Sequence, residues 1–310
     1  MSIKLSTKDK KKVLVILGPT ASGKTSLAVY LANLYNGEIV SADSRQVYKG
    51  MDIGSGKDLK EYKVKGKEVP YHLIDVVSPK TSFNLAAYQK KAILAIEDIL
   101  KSSKLPILVG GSGLYLQAVV DNYKLNKVKP DKKKRKEYEL LSCKELYNLI
   151  LEKKESFALK INNSDKQNKR RLIRYLEIVE EGESSFKKGK DLYDFVIIGL
   201  SVDKDILRKK IIKRLKERLE NEDMVSEVLS LKKSGLSWKK LKSFGLEYKY
   251  ISQYLLKEID YSTMEDKLAT AICQFAKKQN SWFRRWERQG RKIYWLKNKT
   301  AAKKLLKKYL

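Results

Sequence analysis

Cysteine and histidine are both scarce in this sequence of 310 residues. The two cysteines, Cys143 and Cys273, lie in unrelated contexts, and His72 is the only histidine. This pattern indicates neither a disulfide framework nor a structural zinc site, and it excludes mechanisms that need two imidazoles. Long apolar runs are also missing: residues 1–12 are polar, without the apolar core of a secretory signal, and no run approaches the roughly 20 residues that span a bilayer. We therefore expect a cytoplasmic protein with no membrane segment.

Acidic residues are outnumbered. The sequence has 67 lysines and arginines against 37 aspartates and glutamates, a formal net charge of +30. An excess of this size indicates a polyanionic partner such as nucleic acid. General lysine-rich residue usage is the alternative, because lysine occurs in nearly every polar segment.

One glycine loop stands out between an apolar stretch at residues 13–17, predicted as a strand, and a helical pattern at residues 26–32. Its spacing is G-x-x-x-x-G-K-[ST], in which backbone amides and a helix N-terminus surround phosphates. We expect Lys24 to reach terminal phosphate oxygens and Thr25 to ligate Mg²⁺. The predicted diphosphate-binding residues are Gly18, Pro19, Thr20, Ala21, Ser22, Gly23, Lys24 and Thr25. The loop does not identify its ligand, because kinases, NTPases and transferases with a pyrophosphate leaving group share it.

Strand and helix patterns alternate after this loop, which favours a parallel, doubly wound sheet. Asp43 follows the second predicted strand, and loops at the carboxyl ends of parallel strands carry ligands. We therefore expect Asp43 near the phosphate loop. Further strands are predicted at residues 38–41, 71–77, 105–109, 194–202 and 292–296, and helices at residues 84–101, 137–154, 166–181, 203–221, 224–234, 247–256 and 264–278.

The composition changes at residue 123, where lysine, asparagine, aspartate and proline become frequent and residues 132–136 form an unbroken basic run. Arg170 and Arg174 share one face of the predicted helix at residues 166–181. This face is either an RNA-binding surface or an ordinary solvated surface. We predict a core of residues 1–122 and 191–310, interrupted by a basic helical insertion, residues 123–190.

Residues 275–286 interleave lysines and arginines with aromatic side chains. Such a stripe can stack bases and hold phosphates. The alternative is that aromatic residues, Trp282 and Phe283 in particular, anchor a C-terminal helix to the core.

Several blocks occur together and in order: residues 18–25, 41–48, 50–54, 71–75, 110–115, 171–177, 245–248 and 276–284. Together they resemble the tRNA dimethylallyltransferase family, also called tRNA isopentenyltransferases, over nearly the whole chain. The phosphate loop is generic, whereas the Asp43 block combined with the Gly110 block is specific. The resemblance implies an α/β fold with a P-loop NTPase-like parallel sheet, flanking helices and a helical insertion domain.

The resemblance also implies a reaction: transfer of a dimethylallyl group from dimethylallyl diphosphate to N6 of adenine 37, beside the tRNA anticodon, with Mg²⁺ as cofactor. It implies Asp43 as the base, Lys24 and Arg214 as ligands of the diphosphate, and Ser112 where the family usually has threonine. A monomer is the default for an enzyme that must bind a larger RNA. The residues expected to bind tRNA are Asp43, Ser44, Arg45, Gln46, Ser112, Arg135, Arg170, Arg171, Arg174, Gly245 and Lys249.

Several stretches depart from the family pattern: residues after Asp121 are fewer and more lysine-rich than usual, and residues 221–224 lack a usual glycine. Residues 54–58 read Gly-Ser-Gly-Lys-Asp where Gly-x-Ala-Lys-Pro is usual, and Ile272-Cys273 replace a Thr-Arg pair.

Three other functions stay open. An adenylate isopentenyltransferase would not need the charge of +30, and a P-loop small-molecule kinase would not need an acid after the second strand. A nucleotide-gated RNA-binding protein without chemistry would not need Asp43 together with Lys24 and Thr25.

Overall fold

The structure is a computed structural model that describes residues 11–64, 66–125, 128–182 and 188–309. Residues 1–10 of the polar N-terminal segment lie outside the described residues. The chain forms two compact units: a core unit, Met1–Val120 with Asp191–Leu310, and an insertion unit, Asp121–Lys190. The sequence-based boundary at residue 123 differs from this division by two residues. Among the described residues, no helix is both long and apolar enough to cross a membrane.

The described part of the core unit contains a six-stranded parallel sheet in the order β5-β2-β6-β1-β7-β8, which confirms the predicted α/β class. Strands β3 and β4 form a separate antiparallel hairpin. The strands are β1 Lys12–Leu17, β2 Gly37–Ser41, β3 Lys63–Val64, β4 Lys67–Glu68, β5 Tyr71–His72, β6 Leu105–Gly110, β7 Asp194–Leu200 and β8 Tyr294–Leu296.

Helices account for most of the remaining described chain. They are α1 Lys24–Leu34, α2 Leu85–Lys101, α3 Gly113–Val120, α4 Lys132–Tyr138, α5 Cys143–Lys153, α6 Glu155–Ala158, α7 Asn163–Lys166, α8 Lys169–Glu180, α9 Lys204–Glu220, α10 Met224–Lys233, α11 Trp238–Ser243, α12 Leu246–Leu255, α13 Tyr261–Arg288 and α14 Lys299–Leu306. A 3₁₀ helix spans Leu59–Tyr62.

Strand β1 is buried on both faces because helices cover both sides of the sheet. Val13, Val15 and Leu17 pack in a cluster with residues of α2, α3 and the end of α13. Leu14 and Ile16 alternate with them and pack in a second cluster with α1 and α14. This explains why β1 is continuously apolar instead of alternating with polar residues.

The register of the sheet brings three strand ends level with one another. Leu17 of β1 pairs with Gly110 of β6, and Ser41 of β2 pairs with Val109. The backbones then come so close that a Cβ on Gly110 would lie 2.1 Å from the carbonyl oxygen of Ala42. The loops after β1, β2 and β6 therefore begin at one edge of the sheet.

The strand predicted at residues 71–77 is wrong in length, because only Tyr71–His72 pairs as a strand. Leu73 and Asp75 have φ angles of 64° and 56°, in the left-handed region, which ends the extended conformation. The strand predicted to reach residue 202 ends at Leu200, and the last strand begins at Tyr294 instead of residue 292.

Helix α13 is much longer than the predicted helix at residues 264–278, because it runs through the stripe of cations and aromatic residues. Ala276, Gln279, Phe283 and Trp286 recur at helical spacing and are all buried. Phe283 lies in the buried cluster with β1 and the partly buried Trp282 packs against it, as the anchoring alternative expects; Trp286 lies in the same cluster.

The insertion unit has an apolar core formed mainly by α5 and α8. The helix predicted at residues 137–154 is divided between α4 and α5, because a cap interrupts the helical pattern. The helix predicted at residues 166–181 corresponds to α8, which begins three residues later than predicted. Ser142 and Glu145 form a capping box before α5, and Asn168 caps α8.

Candidate active site

A cavity of about 470 Å³ lies in the core unit where the loops after β1, β2 and β6 meet. Residues of α9, the first turn of α12 and α13 also line it. This size falls in the range of small-molecule sites, and it lies at the carboxyl edge of a parallel sheet, where such folds bind ligands. The cavity is therefore the candidate site.

The phosphate loop curls between β1 and α1. Ala21 and Gly23 have φ angles of 59° and 85°, and the Ser22 amide donates to the Pro19 carbonyl at 3.3 Å. The loop ends at the first turn of α1, whose amides have no intrahelical acceptors. The geometry suits an anion beside Gly23, Lys24 and Thr25.

Lys24 is enclosed by the site, and its ammonium donates to the Pro19 carbonyl at 3.3 Å. Burial is the main cause that lowers the pKa of Lys24 to about 8, and the nearby Arg214 guanidinium contributes in the same direction. Asp43 is the strongest of the carboxylates that oppose this shift. A bound anion would therefore raise the pKa of Lys24 and favour its charged form.

Gln279 on α13 ties the phosphate loop to the loop after β6. Its Oε1 accepts from the Thr20 amide at 2.8 Å, and its Nε2 donates to the Gly111 carbonyl at 2.9 Å. No role was predicted for Gln279 from the sequence. The signal that could have identified it is a polar amide side chain within an apolar stripe at helical spacing. Both ends of this buried amide are satisfied, so it holds the two loops at a fixed separation.

Asp43 and Ser112 lie in the same cavity as Lys24. The Arg45 amide donates to Asp43 Oδ1 at 2.8 Å, and the Ser44 amide donates to Ser112 Oγ at 3.1 Å. The Ser112 hydroxyl thus fixes the backbone beside Asp43. The structure brings together these predicted residues, which are far apart in sequence.

Arg214 also lines the cavity, beside a second arginine that sequence reasoning missed, Arg218. Asp58 accepts from Arg214 Nη2 at 2.6 Å and from Arg218 Nη2 at 2.9 Å. Burial lowers the pKa of Arg214, and the charge of Arg218 adds to this effect. Arg218 lies four residues after Arg214 on α9, and this helical spacing is the only signal for it in the sequence.

Two further carboxyl groups line the cavity, Glu61 and Glu247. Burial raises the pKa of both, to about 7 for Glu247. Sequence reasoning placed Glu247 in a block of family resemblance without assigning it a role.

Most of the core-unit residues predicted to bind tRNA line the cavity, whereas Lys249 does not. Arg45, Gln46 and Gly245 line the cavity. The Gln46 amide is engaged internally, accepting from Ser41 Oγ at 2.9 Å and donating to the Gly56 carbonyl at 2.9 Å. Lys249 is exposed, with its ammonium 5.0 Å from the centre of the Tyr250 ring.

Three of the four predicted arginines in the insertion unit are ion-paired within that unit. Arg135 donates to Glu177 at 2.6 and 2.9 Å, and Arg174 donates to Glu177 at 2.9 Å. Arg171 pairs with Asp165. Arg170 is exposed and, within the described part of the chain, has no ion pair.

The described residues contain no group of three or more histidine, cysteine, aspartate or glutamate side chains that could hold a metal ion. Magnesium commonly needs only one or two protein ligands beside substrate phosphates and water. Thr25, in the first turn of α1 at the phosphate loop, fits such a site.

Curated proteins similar to this chain match it over most of their own length. A family model described as IPP transferase matches residues 46–286. The chain is 45% identical over 290 residues to tRNA dimethylallyltransferase 1 of Syntrophus aciditrophicus, covering 92% of this chain and 93% of that protein. It is also 45% identical to tRNA dimethylallyltransferase 2 of Shewanella sediminis, with 92% of each chain covered.

Two solved structures show the same architecture. The tRNA isopentenylpyrophosphate transferase of Bacillus halodurans is 33% identical with a TM-score of 0.66, covering 93% of this chain and 90% of that one. A eukaryotic dimethylallyltransferase described as acting on tRNA is 25% identical with a TM-score of 0.72, covering 88% of this chain and 69% of that one. The matching family model, the curated relatives and the phosphate-loop cavity agree, and the chain belongs to the IPP transferase family, whose members include the tRNA dimethylallyltransferases.

Proposed function

We propose that this enzyme transfers a dimethylallyl group from dimethylallyl diphosphate to N6 of adenine 37, next to the anticodon of tRNA. The observation that carries the proposal is the shared cavity of the phosphate loop, Asp43 and Ser112. A diphosphate site and a carboxylate base within one cavity are what an alkyl transfer to an amine requires.

The donor side of the cavity stabilises the leaving group. As the carbon–oxygen bond of the donor breaks, negative charge grows on the diphosphate. Lys24, the amides at the start of α1 and Arg214 are placed to bind that charge. Thr25 would hold a Mg²⁺ ion, which supplies further charge neutralisation when it is bound.

The acceptor side removes a proton. The exocyclic amine of adenine is a weak nucleophile, and it loses a proton as the new carbon–nitrogen bond forms. Asp43 takes this proton in the proposal, while Ser112 keeps the backbone beside Asp43 in place. The diphosphate leaves with the electrons of the broken bond.

The acceptor adenine must unstack from its neighbouring bases to enter the cavity, so the enzyme must also bind the surrounding RNA. The charge of +30 and the basic insertion support a tRNA acceptor over free adenylate. We propose that Arg45, Gly245 and Lys249 border the acceptor, that Arg170 contacts phosphate, and that the enzyme acts in the cytoplasm as a monomer. A small-molecule kinase is disfavoured, because Asp43 would have no role there.

The acceptor assay tests the function directly. Purified protein is incubated with Mg²⁺, radiolabelled dimethylallyl diphosphate and either unmodified bulk tRNA or AMP. We expect label in tRNA and none in AMP. Label in AMP alone would move the enzyme to the free-nucleotide class, and label in neither would contradict prenyl transfer.

The Asp43→Asn variant tests the base. Removing the acceptor of the proton is expected to lower turnover by at least about 100-fold while pyrophosphate binding is kept. Asp98→Asn, which changes an exposed carboxylate on α2, is the matched control and should retain full turnover. Near-normal turnover by Asp43→Asn would remove Asp43 as the base.

The pH profile tests Lys24. Because burial lowers the pKa of Lys24 to about 8, kcat/KM for the donor is expected to fall as the pH rises through about 8 and the attracting charge is lost. Lys24→Arg stays charged throughout, so any activity it retains should lack this alkaline limb. An unchanged limb would assign the ionisation to another group.

Arginine substitutions test the insertion. Arg170→Ala is expected to weaken tRNA binding and to reduce the slope of log affinity against log salt by about one. Arg208→Ala on α9, also an exposed arginine, is the control and should change neither. Equal losses in both variants would show only a general charge effect.

A further inference from the structure

We propose that Asp58 is a positioning residue for the donor diphosphate, which holds Arg214 and Arg218 together in the cavity wall. The inference rests on the proposed function and deepens it. Asp58 lines the cavity together with both arginines and contacts each of them.

The carboxylate of Asp58 bridges the two arginines. Oδ2 accepts from Arg214 Nη2 at 2.6 Å and Oδ1 accepts from Arg218 Nη2 at 2.9 Å. Each of these contacts uses one terminal nitrogen, whereas a guanidinium carries five N–H groups. The arginines can therefore bind phosphate oxygens without releasing Asp58.

The charges favour this arrangement. Two guanidinium groups held side by side repel each other, and a buried one needs a partner, as Arg218 does here with 8% exposure. A single carboxylate offsets the repulsion and still leaves the trio with a net charge of +1. That remaining charge lies beside Lys24, on which both Arg214 and Asp58 act electrostatically.

The loop that carries Asp58 is fixed on several sides. Glu227 accepts from the amides of Asp52, Ile53 and Gly54 at 2.7, 2.6 and 3.1 Å. The buried Lys57 ammonium donates to the Tyr48 carbonyl at 2.8 Å and to Asp52 and Asp75 at 2.5 Å. A carboxylate presented from such a loop can define where its partners lie.

Gly56 makes the close approach possible. A Cβ at this position would lie 2.5 Å from Arg214 Nη2 and 2.7 Å from Arg218 Nη2. Its φ of 68° is also in the left-handed region, where glycine is favoured. Glycine admits the guanidinium groups, and aspartate then binds them.

The test measures donor-site affinity in the full-length enzyme. Binding of inorganic pyrophosphate with Mg²⁺ is measured by titration calorimetry for the wild type, Asp58→Asn, Asp58→Glu and a control. Asp191→Asn is the control, because it disrupts a comparably exposed pair with Arg291, at 2.7 and 3.1 Å, among residues that do not line the cavity.

We expect Asp58→Asn to weaken pyrophosphate binding about tenfold and to raise the donor KM by a similar factor, with the KM for tRNA unchanged. Asp58→Glu should restore most of the affinity, and Asp191→Asn should match the wild type. If Asp58→Asn does not fold, Arg218→Lys, which keeps the charge and shortens the reach, is expected to give the same tenfold loss.

Unchanged or tighter pyrophosphate binding by folded Asp58→Asn would overturn the inference, as would an equal loss in Asp191→Asn. Absence of pyrophosphate binding by the wild type would instead refute the diphosphate site itself. The two failures are therefore distinguishable.

Discussion

Parallel pairing of β1 with β6 and of β6 with β2 is the constraint on which the site depends. It sets Leu17, Ser41 and Gly110 at one edge of the sheet, so that three loops from distant parts of the sequence begin within reach of one another. Gly110 permits the close backbone approach that this register demands. The phosphate loop, the Asp43 loop and the Ser112 turn could not share a cavity without it.

The loops are held by polar side chains that face inward. Gln279 on α13 joins the loops after β1 and β6, and the Ser112 hydroxyl joins the loop after β6 to the loop after β2. Buried amide and hydroxyl groups that satisfy backbone donors in this way are costly to remove, because the partner would be left without a hydrogen bond. The site is thus preorganised by the core unit before any ligand arrives, which is the arrangement that electrostatic catalysis needs.

Charge is distributed unevenly between the cavity and the rest of the chain. The cavity lining is nearly balanced, with five basic residues, Lys24, Arg45, Lys210, Arg214 and Arg218, against four acidic ones, Asp43, Asp58, Glu61 and Glu247. The net charge of +30 must therefore lie almost entirely outside the cavity. A small diphosphate does not account for such a surplus, whereas a long polyanion does. The same distribution explains how a strongly basic protein can keep Asp43 and three other acidic residues in one cavity with Lys24.

The local sequence was sufficient to predict those elements whose structure depends on neighbouring residues. The phosphate loop, β6 and α2 follow from apolar runs, glycine spacing and helical periodicity, and their predicted bounds agree with the structure to within a residue or two. The strand predicted at residues 71–77 was wrong because the left-handed backbone at Leu73 and Asp75 is set by contacts with distant loops, such as the pairing of Asp75 with Lys57.

The sequence by itself determined the fold class, the phosphate loop and the order of family blocks, because these depend on short-range spacing and composition. Only the tertiary structure decided that Gln279 ties the loops, that Arg218 and Asp58 join Arg214, and that Glu247 faces the same cavity. It also decided that Arg135, Arg171 and Arg174 pair with acids inside the insertion unit while Arg170 is exposed. The physical reason is the same in each case: a hydrogen bond or ion pair between residues far apart in sequence depends on the packing of whole elements, which no local pattern records.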